Sequence, residues 1–178
     1  MLQMIRKATM GLALGLALVA AAPAATSAYS PEARTAEQVR KQIVTLPFYS
    51  IFDHVTFTLR DGVVTLDGEV YRPTLRKSAE RVAMRVEGVN RVVNNIEVLP
   101  LSPNDDRLRL AVARSIFTNS VLDRYSMGAN PSIHVIVRNG DVRLEGVVSR
   151  EMERNVAGMM ANGVPGVFSV TNNLRVAR

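Results

Sequence analysis

Cysteine and tryptophan are both missing from this chain. Without cysteine there is no disulfide, no thiolate nucleophile and no thiolate metal ligand. Nor is there an acceptor for the lipid that a bacterial lipoprotein carries at its cleavage site. Histidine is almost as scarce, since His54 and His134 are the only two. Two imidazoles without clustered carboxylates do not make a transition-metal site. His54 stands beside Asp53, but no nucleophile with a recognisable elbow accompanies the pair. Asp67, Glu69, Asp141 and Glu145 lie at outward strand positions, where a solvated face is expected. The sequence therefore predicts no catalytic residue, no metal, no cofactor and no enzyme. Aromatics are 5% of residues, and no basic strand is studded with them, so nucleic acid is not the expected partner.

Long hydrophobic runs are absent too, with one exception near the start. Arg6 and Lys7 precede the 13 residues Met10–Ala22, "MGLALGLALVAAA", and then small residues in "PAATSA". A run this short falls below the roughly 18 residues needed to span a bilayer. Basic, apolar and small residues in that order read as a secretory signal peptide over residues 1–28, cut after Ala28. An uncleaved anchor is the alternative. With no cysteine at the cut, the expected product is a periplasmic protein and not a lipoprotein. The formal charge of +6 would then lose Arg6 and Lys7. The remaining excess is mild. Residues 29–103 hold 10 basic and 9 acidic side chains, and residues 104–178 hold 10 and 7. Such a balance suits anionic lipid heads or acidic polymers.

What the chain does have is a repeat. "LRDGVVTLDGEVYR" (Leu59–Arg72) returns as "VRNGDVRLEGVVSR" (Val137–Arg150), and Val55–Val98 falls on Ile133–Val176 without a gap at an offset of 78. Upstream the offset is 73, aligning Val39 with Val112 and Ile43 with Ile116. A period this long, used twice, indicates duplicated domains. The boundaries read as 29–100 for the first module and 107–178 for the second, with "LSPNDD" at 101–106 as linker and helix cap.

Each copy reads helix, strand, strand, helix, strand. Val55, Phe57 and Leu59 alternate with polar residues as in a half-buried strand. Asp61-Gly62 and Asn139-Gly140 signal type I′ hairpins. Gly68 and Gly146 stand where a core side chain belongs, and the expectation is that a helix approaches the sheet closely there. Leu75, Ala79, Val82, Ala83 and Val86 form a buried helical stripe. Asn94 and Asn172 fall on an apolar strand face and are expected to satisfy backbone groups.

These residues resemble the BON domain, the bacterial osmotic-shock and nodulation module. The shared pattern is a Gly-x-Val-x-Leu-x-Gly-x-Val hairpin, a helix, then "GVNRVVNNIEV" or "GVFSVTNNLRV". Both copies match. The resemblance implies an α+β fold of two tandem αββαβ sandwich modules, each a three-stranded sheet covered by two helices. It also implies an envelope location and association with phospholipid or cell wall, as in proteins of osmotic stress.

Differences between the copies suggest where a partner binds. In the second module's first helix, Leu108, Val112 and Ile116 form the core stripe, and Leu110, Ala113 and Phe117 form another. The residues aligned with that second stripe in the first module are largely polar. Arg107, Arg109 and Arg114 flank it, and Arg124, Tyr125 and Met127 follow in a longer loop. An apolar ridge rimmed by arginines suits an anionic membrane surface. The expected site is therefore Arg107, Leu110, Arg114, Phe117, Arg124 and Tyr125, and the expected partner is anionic phospholipid. A protein–protein adaptor or chaperone-like role among envelope proteins, a peptidoglycan scaffold, and packing of the ridge against the first module are the alternatives. Lys77, Arg81 and Arg85 read as a solvated basic edge, and Met152, Val156 and Met159 as extended core or domain contact.

Overall fold

A computed structural model describes residues 30–127 and 132–177. The expected signal peptide lies outside them. The first module runs α1 (Pro31–Val44), β1 (His54–Arg60), β2 (Val63–Val70), α2 (Pro73–Met84), β3 (Arg91–Asn94) and β4 (Glu97–Val98). The second runs α3 (Pro103–Phe117), a 3-10 turn at Asp123–Ser126, β5 (Ile133–Arg138), β6 (Asp141–Val148), α4 (Glu151–Asn162), β7 (Ser169–Asn172) and β8 (Arg175–Val176). Two αββαβ modules are thus present, as the repeat predicts.

Serine caps open the first helix of each module. Ser30 Oγ accepts from Ala33 N at 3.1 Å and Ser102 Oγ from Asp105 N at 3.2 Å, with a proline following each cap. Helix α3 therefore takes up residues 103–106, which the sequence reading gave to the linker. Only Leu101 and Ser102 remain between β4's trailing residues and the helix.

In each sheet the second strand is central. β2 pairs antiparallel with β1 and parallel with β3 and β4, and β6 does the same with β5, β7 and β8. Leu66 faces Asn94 and Glu69 faces Glu97, so β3 and β4 keep one register and form one interrupted strand. Asparagine bridges the interruption. Asn94 Oδ1 accepts from Ile96 N at 3.2 Å, and its Nδ2 donates to Arg76 O on α2 at 2.9 Å. Asn172 makes the matching bonds to Leu174 N and Arg154 O. These side chains satisfy backbone, as expected.

Both helices of a module cover one face of its sheet. Val39, Ile43, Leu75, Ala79 and Ala83 meet Val64, Leu66, Val70 and Ile96. Leu108, Val112, Ile116, Ala157 and Ala161 meet Val135, Val142, Leu144 and Val148. The hairpin turns have positive φ at Asp61 and Gly62 and at Asn139 and Gly140, the type I′ signature.

The expectation for Gly68 and Gly146 is corrected. What a side chain at these glycines would meet first is main chain and not a helix. Their φ values are +120° and +125°, and a Cβ would lie 2.1 Å from His54 O and 1.9 Å from Ser132 O. Those carbonyls sit on the paired side of the same hairpin. The glycines allow a tight backbone crossing within the sheet, not a helix contact.

The outward sheet faces also depart from expectation. Glu69 and Glu145 are not solvated, because the modules meet there. Arg138 contacts Glu69 at 3.2 Å and Glu97 at 2.7 Å, and Arg143 lies between Glu69 and Glu145. His54 Nε2 is 3.8 Å from Glu145 Oε2, and its ring centre is 5.7 Å from that of His134. Val135 N donates to Ile51 O across the junction at 2.7 Å. Ile136 and Leu99 are buried and belong to neither module's core. Phe52 of the first module packs against the second module's core. Asp53 fixes the loop that delivers it, accepting from Ser50 N at 2.9 Å, Ser50 Oγ at 2.7 Å and Tyr71 N at 2.7 Å.

Candidate functional site

The spacing 107, 110, 114, 117 puts Arg107, Leu110, Arg114 and Phe117 along one side of α3. Leu110 is 59% exposed, and Arg107 and Arg114 flank it in solvent. Arg107 donates to Asn104 Oδ1 at 2.8 Å. Arg114 has no ion-pair partner among the described residues. The continuous ridge that the sequence suggests is interrupted, however. Ala113 is buried, and Phe117 is half-buried against the second module's own core. Neither arrangement weighed from sequence, a free ridge or one packed on the first module, describes it fully.

Arg109 does not rim this surface. It is buried among Asp106, with which it pairs, Val137 O, to which it donates at 2.8 Å, and Tyr71 of the first module, whose ring centre lies 4.9 Å away. It locks α3 to β5 and to the first module.

Arg124 and Tyr125 stand apart from the α3 stripe and have structural partners. Glu153, buried at the start of α4, pairs with Arg124 and accepts from Tyr125 Oη at 2.7 Å, Ser149 N at 3.0 Å and Arg150 N at 2.9 Å. Burial works against the Glu153 charge. The bonds from Tyr125 and the Arg150 amide, with the Arg124 guanidinium, outweigh it and hold the carboxyl below its ordinary range. The guanidinium still faces solvent on one side, and Met127 beyond it is exposed. Of the six residues expected to bind, the structure thus groups four on α3 and places two in a clamp on α4.

A second basic surface lies on the first module. Lys77 and Arg81 of α2, Arg85 at its C-cap and Arg91 of β3 surround an open groove of about 710 Å³ whose floor includes Met84 and Val92. Sequence reading noted the three helical cations as a solvated edge and missed Arg91. The signal was available in the repeat, because at an offset of 78 the four cations align with Asn155, Met159, Gly163 and Ser169. On that second copy, Met152, Met159 and Phe168 are exposed, so the methionines there are not extended core.

A smaller cleft of about 420 Å³ opens at the module junction, lined by Tyr49, His54, His134 and Arg175 among others. Among the described residues no group of three histidine, aspartate or glutamate side chains is arranged to hold a metal. No described helix is long and apolar enough to cross a membrane.

Comparison with known proteins agrees with the repeat. An "Uncharacterized protein in gshII 5'region" of Anaplasma centrale is 29% identical over 130 residues, spanning 72% of this chain and 85% of that protein. Among solved structures, the C-terminal domain of CdsD, a structural protein of the type III secretion system of Chlamydia trachomatis, is 13% identical. It covers 80% of this chain and 96% of that one, with a TM-score of 0.31. A second CdsD structure is 14% identical, covers 80% and 92%, and has a TM-score of 0.27. Superposition this loose says nothing of function. The decisive match is to the family model of the BON domain, over residues 31–100 and again over 104–178. With both halves of the described fold matched, this chain belongs to the BON domain family and carries two BON domains in tandem.

Proposed function

We propose that the chain is a non-catalytic, periplasmic binding protein that holds to anionic phospholipid through α3 and so supports the cell envelope under stress. The observation that carries this reading is the exposed side of α3, where Leu110 projects between Arg107 and Arg114. An arginine near an anionic leaflet contributes about 1 kcal/mol. A buried leucine side chain adds roughly 1.5–3 kcal/mol. Two arginines and one leucine therefore reach on the order of 4 kcal/mol, a dissociation constant near millimolar. Useful binding needs more than one contact, and Phe117, half-exposed on the same side, is the nearest apolar reserve.

Co-sedimentation with phosphatidylglycerol vesicles and with purely zwitterionic vesicles tests this. Recovery should be higher with phosphatidylglycerol and should fall with salt. Arg114→Glu should weaken binding at low salt, and Leu110→Ser should weaken it at all salt concentrations. Phe117→Ser is a poorer probe than sequence suggests, because it also cuts into the core. Equal recovery from both vesicles, or none from either, would remove the lipid reading. The exposed Met152, Met159 and Phe168 would then favour the adaptor reading, in which the chain contacts envelope proteins.

A further inference from the structure

We propose that the groove between α2 and β3 of the first module binds an acidic, extended segment of a protein partner, laid alongside the open edge of β3.

The groove carries an excess of positive charge, four cations against the one carboxylate of Glu80. Lys77 and Arg81 stand at i and i+4 of one helical surface, Arg85 follows at the helix C-cap, and Arg91 opens the neighbouring strand. Like charges at that spacing oppose helix formation. Each of the other helices matches at least one arginine within itself, although Arg114 on α3 stays unmatched. Arg40 pairs with Glu37 on α1, Arg109 with Asp106 on α3, and Arg154 with Glu151 on α4. Helix α2 has no such pair. Its one carboxylate at the groove, Glu80, is engaged by Asn94 Nδ2 at 2.9 Å. The favourable field at a helix C-terminus accounts for a cation in the last turn. The fold does not require it, since α4 ends without one.

Guarding a sheet edge is another use for surface cations. The second module is an internal control for that idea. Its edge strand β7 occupies the same place beside α4, and the aligned positions Asn155, Met159, Gly163 and Ser169 are all uncharged. The four cations therefore belong to this module and not to the architecture.

Spacing and chemistry select the occupant. Successive cations four residues apart on a helix are separated by about 6 Å along its axis. Alternate side chains of an extended chain are separated by about 6.6–6.8 Å. An acidic segment with carboxylates at every second residue can meet Lys77, Arg81 and Arg85 in turn. Among the described residues β3 has β2 on one side and no strand on the other, so its outer edge offers backbone hydrogen bonds that another polypeptide can use. Met84, 52% exposed, and Val92 supply apolar floor. A phosphate or a lipid head would use the cations and leave both edge and floor without a role.

The experiment follows backbone amide signals of the chain by NMR. Probes are a short peptide alternating glutamate with valine, its lysine counterpart, inorganic phosphate, and phosphatidylglycerol vesicles. The glutamate peptide should shift the amides of Val92 and Asn94, and the lysine peptide should not. Lys77→Glu or Arg81→Glu should weaken peptide binding about tenfold at low salt. Met159→Glu, at the position aligned with Arg81, should leave it unchanged. Leu110→Ser should also leave it unchanged while lowering vesicle recovery, so this proposal and the lipid reading can fail separately. Absence of shifts on β3, an equal loss from Met159→Glu, or perturbation of the groove by phosphate or vesicles but not by peptide would overturn it.

Discussion

Gly146 has a φ of +125° with the carbonyl of Ser132 pressed where a Cβ would go, 1.9 Å away. The obstacle is main chain in the paired strand, so a rotamer change cannot relieve it. Gly146→Ala is expected to cost about 3 kcal/mol or more, combining backbone strain with a steric clash. Urea denaturation measures it, and a change under about 1 kcal/mol would mean that the hairpin can shift to accept a side chain. The alternation of apolar residues marks this glycine as special in sequence, because it occupies a core position without filling it. The alternation does not show what comes close. Arg109 carries the same lesson in reverse. Helical spacing puts it beside the ridge that Leu110 begins, and an arginine there reads as a rim charge. Only the tertiary positions of Asp106, Val137 and Tyr71 show why it is buried.

At the level of elements, the β5–β6 hairpin is held from outside itself. Asp105, buried in the first turn of α3, accepts from Asn139 N and Gly140 N at 2.9 Å each. Hydrogen bonds to a charged group are the stronger kind, and their loss strands two amides at the turn. Asp105→Ala is expected to cost about 3 kcal/mol in thermal or urea unfolding. Glu32→Ala, at the aligned position of α1, should change stability by less than about 0.5 kcal/mol, since Glu32 is exposed. Comparable effects would count against the brace. The two turns were legible from Asp61-Gly62 and Asn139-Gly140, as were the helices and the asparagine at each broken strand. The brace was not, because its donor amides lie 34 and 35 residues away. The boundary of α3 was misplaced for a related reason. Asn104, Asp105 and Asp106 look like a cap, yet Ser102 before Pro103 is the residue whose oxygen reaches the helix amides.

The whole molecule adds an interface whose charges respond to pH. His54 and His134 face each other at the junction. Tyr49 lies against His134, Glu145 beside His54, and Arg143 and Arg175 within electrostatic reach. Burial pushes both imidazoles below the ordinary value; for His54 the attraction of Glu145 opposes this, while His134, Arg143 and Arg175 add to it. Both are therefore neutral near pH 7. As pH falls below about 6.5, the unfolded chain takes up protons first. Stability is full above that value and is lost as pH falls through the lowered folded values. Urea midpoints should be flat above about pH 7 and should fall toward pH 5. The double variant His54→Gln, His134→Gln should lose less over this range, and identical curves for variant and parent would show that the junction is not the titrating element. This interface was hidden from the sequence because strand parity tells inside from outside for one sheet only. It cannot say that a second sheet covers Glu69 and Glu145, and the expected solvated faces became the seam.

Phe52 and the Ile51 carbonyl give that seam a temporal meaning. A chain made from its N-terminus completes β1 through β4 before Val135 exists. Until β5 arrives, Phe52 has no second core to enter and Ile51 O has no amide to accept from. The half-made molecule therefore carries a sticky loop that its own later half must quench. Duplication supplied two copies of one design, but loop 46–53 ended their independence. By ancestry the protein is two domains, and Phe52 with the Ile51–Val135 bond ties one to the other. A cut between Leu101 and Ser102, which looks harmless on the repeat map, would leave Phe52 and the Ile51 carbonyl dependent on a partner no longer tethered to them.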